Sequence, residues 1–119
     1  MADTRTLLIV DDEQALLRLL TIRLRLCGYE VVTACNGGEA LGLIEKEKPD
    51  LILLDIIMPG VDGFQVLQSA RESCPAPVIV MSAKEENSGR ALEMGATEFI
   101  SKPFDVDMLV KSIQRNLPS

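Results

Sequence analysis

Four places in the chain carry residue types that could do chemistry, and each closes a strand-sized run. Asp11 and Asp12 follow Thr6-Leu-Leu-Ile-Val10, Asp55 follows Leu51-Ile-Leu-Leu54, Ser82 follows Val78-Ile-Val-Met81, and Lys102 follows Thr97-Glu-Phe-Ile-Ser101. An acid on the tip of a buried strand presents its carboxylate to the crevice outside the carboxyl ends of an open parallel sheet, where such folds bind ligands. Asp55 is the sharpest case, because turn chemistry at Pro59-Gly60 and Asp62-Gly63 follows within a few positions. Each residue also has an ordinary explanation: Asp12 would cap the next helix, Ser82 would form a turn, and Lys102 would make a structural ion pair with Asp55. Placing Asp55 on the same rim as Asp11 and Asp12 would make their mutual repulsion costly in a low-dielectric crevice unless a cation sits between them. Cation binding through oxygen ligands is therefore the first chemistry this set suggests.

These residues share a rim only if strands and helices alternate, and the pattern says they do. Residues 14–27 read as a helix with Leu16, Leu17, Leu20, Leu24 and Cys27 along one apolar stripe and Leu19, Ile22 and Leu26 along a second. The second stripe is read as extra core, with an exposed partner-docking surface as the alternative. Gly28 ends that helix, and residues 29–34 form a second strand. Asn36-Gly-Gly-Glu39 has the form of a capping box opening a helix that turns Ala40, Leu41, Leu43 and Ile44 inward and closes near Lys48-Pro49. After the central strand comes an amphipathic helix through Phe64, Val66, Leu67 and Ala70. Residues 85–94 make a weak helix containing Ser88 and Gly89, a natural candidate for movement beside a strand tip. The last helix, capped by Asp105, places Val106, Leu109, Val110, Ile113 and Leu117 on one face. Five strand–helix units predict a doubly wound α/β fold with a five-stranded parallel sheet, right-handed crossovers and the order 2-1-3-4-5. That order puts the topological switch point between the strands ending in Asp11-Asp12 and Asp55.

Length and composition set bounds. The 119 residues suffice for one domain, 1–119, and not for a second catalytic module. With 47% hydrophobic and 25% charged residues the chain reads as an ordinary soluble protein. Its apolar runs fall far short of the roughly 20 residues that cross a bilayer. Met1-Ala-Asp-Thr-Arg5 lacks the parts of a secretory signal, so a cytoplasmic location is expected. The net charge of −6, without a basic stripe, favours neither direct nucleic-acid binding nor an anionic membrane. Cys27, Cys35 and Cys74 form no CxxC pair and are expected to be reduced, buried thiols. Histidine is absent, so the chain cannot itself carry phosphohistidine, use a histidine base or ligate metal through imidazole. Pro118-Ser119 fits either a natural end or the start of a linker.

Taken together, Val10-Asp-Asp-Glu13, Leu54-Asp-Ile-Ile-Met-Pro-Gly-Val-Asp-Gly63, Met81-Ser-Ala83, Gly95-Ala96 and Lys102-Pro-Phe-Asp105 closely resemble the receiver domain of bacterial two-component response regulators, over essentially the full length. The resemblance implies a signalling switch rather than a metabolic enzyme. Asp55 would accept a phosphoryl group from a phosphohistidine on a sensor histidine kinase or a histidine phosphotransfer domain, and the site would promote its own phosphorylation and dephosphorylation. Asp12, Asp55 and the backbone carbonyl of Ile57 would bind Mg2+ directly, with Asp11 acting through water; a small hard cation with oxygen ligands suits that set. Lys102 and Ser82 would receive the phosphoryl oxygens. Ser82 and Phe99 would form the switch that repacks the face made by the fourth helix, fifth strand and fifth helix, and Pro103 would follow a cis peptide bond. Ile22 and Leu26 would contact the phosphodonor partner.

Departures from the family pattern narrow what it implies. Met108 and Ser112 occupy two positions that carry charged residues in a dimerising subclass, so the chain is expected to be a monomer or a weak, phosphorylation-dependent dimer with an unidentified output domain or protein. Ile57 and Lys84 fill the variable positions that tune phosphoryl lifetime in the family. A pseudo-receiver, a protein-binding module without phosphotransfer, is the alternative, and the intact Asp, Ser and Lys set weighs against it. A dehalogenase-type phosphatase would need a second acid two residues after the nucleophile, where Ile57 stands. A nucleotide-binding fold would need a glycine-rich loop where Asp11-Asp12-Glu13 would repel phosphate.

Overall fold

The computed structural model describes residues 4–60 and 62–117. Expectations that involve Met1, Ala2, Asp3, Val61, Pro118 or Ser119 lie, for those residues, outside that span. Five short strands, β1 (Thr6–Val10), β2 (Glu30–Ala34), β3 (Leu51–Asp55), β4 (Val78–Ser82) and β5 (Glu98–Ser101), pair in parallel in the order β2-β1-β3-β4-β5. The predicted doubly wound topology is the one observed. β3 and β4 are buried at every residue and β1 from Leu7 onward, which is why their sequences are continuously apolar rather than alternating.

Helices α1 (Gln14–Leu26), α2 (Gly37–Glu47), α3 (Gly63–Ser73), α4 (Ser88–Glu93) and α5 (Val106–Asn116) cover the two faces. Strand alternation divides the core accordingly. Leu8, Val10, Ile52, Leu54, Val78 and Val80 pack with Ala40, Ile44, Val66, Leu67, Ala70 and Ala91 of α2, α3 and α4. Leu7, Ile9, Leu51, Leu53, Ile79 and Met81 pack with Leu17, Leu20, Leu24, Leu109 and Ile113 of α1 and α5. The register Val10↔Leu54, Asp55↔Met81 and Ser82↔Ser101 brings the strand ends to one rim.

Helix boundaries show where local chemistry behaved as expected. Asn36 caps α2 by accepting the Glu39 N–H at 2.8 Å, while Glu39 Oε1 reaches back to the Cys35 N–H at 3.1 Å. Asp62 and Asp105 cap α3 and α5 through their side chains. Gly63 is required for a steric reason: a Cβ there would lie 2.3 Å from Ile56 Cα, so only glycine lets α3 start against the loop that leaves β3.

Three expectations need correction. Asp12 does not cap α1: the N-cap position falls one residue later, on Glu13, which makes no side-chain cap bond, and Asp12 is exposed. The second apolar stripe of α1 is not core: Leu19, Ile22 and Leu26 are 46%, 61% and 80% exposed. At about 100° per residue they stand nearly opposite Leu17, Leu20 and Leu24, and a helix lying on one sheet buries one side. Of the three thiols only Cys74 is buried; Cys27 sits past the end of α1 in the open and Cys35 is half-buried. The weak helix over 85–94 resolves into a 3₁₀ turn, Glu85–Asn87, followed by the six residues of α4.

Candidate functional site

The rim is built by extending the ladders one residue past each strand. Asp11 donates its N–H to the Ala34 carbonyl at 3.1 Å, and Lys102 donates its own to the Ser82 carbonyl at 2.8 Å, so both backbones are fixed before their side chains act. Asp11 is fully buried and Asp55 is 4% exposed. Asp55 Oδ1 accepts the Ile57 N–H at 2.9 Å, an Asx-type turn that holds the carboxylate at the start of the loop.

Lys102 closes the cluster. Its Nζ lies 2.6 Å from Asp11 Oδ2, 3.1 Å from Asp55 Oδ2 and 3.1 Å from Glu13 Oε1. An ammonium has three N–H donors, and three carboxylates take them. The peptide between Lys102 and Pro103 is cis.

Asp12 completes a second arrangement: Asp11, Asp12 and Asp55 each bring one carboxylate oxygen within 4.8 Å of the others. Two buried acids and one exposed acid, converging through oxygen alone, fit a hard divalent cation that retains water on its open side. The charge states reflect the crowding. Burial raises the Asp55 pKa above the usual carboxyl value, the Ile57 N–H and Lys102 oppose it, and the Asp11 charge adds to the rise. Burial works against the Lys102 charge, yet the Asp11 hydrogen bond and the charges of Asp55 and Asp11 outweigh it and hold the ammonium above the ordinary lysine range.

The other residues singled out from sequence lie around this centre. Ser82, wholly buried at the end of β4, is turned onto the following turn; its Oγ accepts the Lys84 N–H at 3.0 Å and lies 3.5 Å from Asn87 Nδ2. Phe99 is half-buried on β5, level with Val80, and packs against the core layer under α2, α3 and α4. Ile57 and Lys84 are exposed flanking positions, and Pro103 is exposed beyond Lys102. Ile22 and Leu26 stand apart from the cluster on the outward side of α1. Met108 is 69% exposed on α5, whereas Ser112 is buried.

Two residues gain importance only here. Glu13 was visible as a third consecutive acid, and its contact with Lys102 spans 89 positions. Asn87 had no signal in the sequence. A surface groove of about 630 Å³ lies among Pro49, Pro75 and Pro77 where β3 and β4 begin, and none of the rim carboxylates lines it.

Comparison with known proteins agrees with this geometry. The sequence model of the response regulator receiver domain family matches residues 7–114. A probable transcriptional regulator, ycf27, of Porphyra purpurea is 41% identical over 114 residues, covering 92% of this chain and 47% of the relative. The chain thus spans about half the length of the curated relatives it matches. Among solved structures, the CheY-like receiver domain protein from Methanospirillum hungatei is 35% identical with a TM-score of 0.90, covering 95% of this chain and 93% of that one. Response regulator TrrA from Thermotoga maritima, solved in complex with Mg(2+)-BeF, is 34% identical with a TM-score of 0.87, covering 96% of this chain and all of its own.

Proposed function

The chain belongs to the response regulator receiver domain family, and from that premise we propose that residues 1–119 form a single receiver that is switched by phosphorylation of Asp55. The observation that carries the proposal is the buried Asp55 carboxylate held at a strand end with the Lys102 ammonium 3.1 Å away. A carboxylate oxygen of Asp55 attacks the phosphorus of a phosphohistidine on a sensor kinase or phosphotransfer domain. A P–O bond forms, the P–N bond breaks, and the imidazole leaves on the partner. This chain has no histidine to supply the donor.

The site's own residues prepare that transfer. Asp12, Asp55 and the Ile57 carbonyl would hold Mg2+ directly and Asp11 would hold it through water; when bound, the ion neutralises charge on the transferring oxygens. Lys102 exchanges one of its carboxylate contacts for a phosphoryl oxygen. Ser82 gives up its contacts with Lys84 and Asn87 and donates its hydroxyl to another. Because those contacts belong to the turn before α4, the hydroxyl's departure loosens the turn, Phe99 moves inward, and the α4–β5–α5 face repacks. That face signals to an output domain or protein, in keeping with relatives named as transcriptional regulators that are about twice as long. The cytoplasm is the proposed location; among the described residues no helix is long and apolar enough to cross a membrane. The exposed pair Ile22 and Leu26 docks the phosphodonor partner.

Intact mass after incubation with acetyl phosphate tests the switch. A Mg2+-dependent gain of one phosphoryl group is expected, absent in Asp55→Ala; no gain in folded, Mg2+-binding protein would favour a binding module without phosphotransfer. In the same assay Ile22→Ala with Leu26→Ala should leave labelling by acetyl phosphate unchanged and slow transfer from the partner. Unchanged transfer would remove the docking role.

A further inference from the structure

Glu13 stands at the N-cap of α1, where a side chain usually turns back onto its own helix, and it makes no such bond. It reaches across the rim to Lys102 Nζ at 3.1 Å instead. Nor does it belong to the cluster of Asp11, Asp12 and Asp55 that could hold a cation. We propose that Glu13 is a positioning residue that latches Lys102 in the resting geometry, and that its release sets how readily the site takes a phosphodonor.

The three contacts of Lys102 differ in how easily they are given up. Asp11 is fully buried and close, at 2.6 Å, so breaking its bond would strand a desolvated charge. Asp55 is itself the proposed acceptor. The Glu13 side chain is 63% exposed and rehydrates as soon as it lets go. It is therefore the contact that Lys102 exchanges for an incoming phosphoryl oxygen. Glu13, Lys102 and Leu19 also line one groove of about 380 Å³ with Leu16 and Phe104, so the latch lies between the rim and the exposed side of α1.

The inference rests on Asp55 being the phosphoryl acceptor, and its test has a part that does not. In unphosphorylated protein, proton exchange at the Lys102 ammonium, followed by side-chain NMR, should be several-fold faster in Glu13→Gln and unchanged in Glu47→Gln, which removes the same charge at the far end of α2. Equal exchange in Glu13→Gln and the unaltered chain would overturn the latch, whatever happens at Asp55. For labelling below saturation, Glu13→Gln should be about two- to fivefold faster, the size expected from an exposed ion pair. Acetyl phosphate, a dianion, and phosphoramidate, a monoanion, should gain alike. Acceleration confined to acetyl phosphate would mean that Glu13 only repels the donor, and would also overturn the latch. If neither donor labels even the unaltered chain, the acceptor assignment fails, and the exchange measurement still decides whether Glu13 holds Lys102.

Discussion

α4 and α5 flank the same edge strand and are held in opposite ways. α5 is capped by Asp105, buries Leu109, Val110 and Ile113, and fastens β5 through Arg115 and Asn116 to Glu98. α4 has six residues, no side-chain cap and one buried residue, Ala91. Its Arg90 lies 3.9 Å over the Phe64 ring, a contact with α3 rather than with the sheet. Firm attachment on one side and light attachment on the other leave α4, with the 3₁₀ turn that contacts Ser82, as the element that can shift at small cost. The switch proposed above would use that asymmetry, moving one element without unfolding its neighbours.

The comparison can be broken most directly through packing. Ile113→Ala on α5 should cost about 2–5 kcal/mol in urea unfolding, whereas Leu92→Ala, 48% exposed on α4, should stay within about 0.5 kcal/mol. Equal losses would show that α4 is as integral to the fold as α5. Capping gives a smaller effect. Asp105→Ala removes the acceptor of the Asp107 N–H and should cost about 1 kcal/mol, with Asn87→Ala before α4 nearly neutral by the same measurement.

The smallest effect has a pH signature. Burial pushes the Glu98 pKa up, but hydrogen bonds from Asn116 and Arg115 outweigh it and hold the carboxyl below the usual glutamate value. A lowered folded pKa means stability that is full above the unfolded value and lost as pH falls through the folded one. Arg115→Ala should therefore cost less than about 1 kcal/mol at neutral pH, and the difference from the unaltered chain should shrink on acidification. A difference that grows in acid would contradict the pairing.

Much of this could be read without the fold. Continuous apolar strands, Asp at two strand tips, and the signatures at Asn36 and Asp105 act over a few residues, so local sequence contained them. The exposed stripe of α1 was visible but not its fate, because periodicity shows that a helix has two apolar sides and not how many surfaces it will meet. Asp12 looked like a helix cap for a similar reason: proximity in sequence suggested it, but the helix starts one residue later, with Glu13 at the cap position.

The sequence alone determined the α/β order, the core stripes and the residue types at each strand end, since burial and turn chemistry are written in neighbouring side chains. Tertiary structure alone decided the three-carboxylate grip on Lys102 and the diversion of Glu13 from its own helix. Those depend on distances between segments up to 91 positions apart, which only the parallel register of the sheet sets.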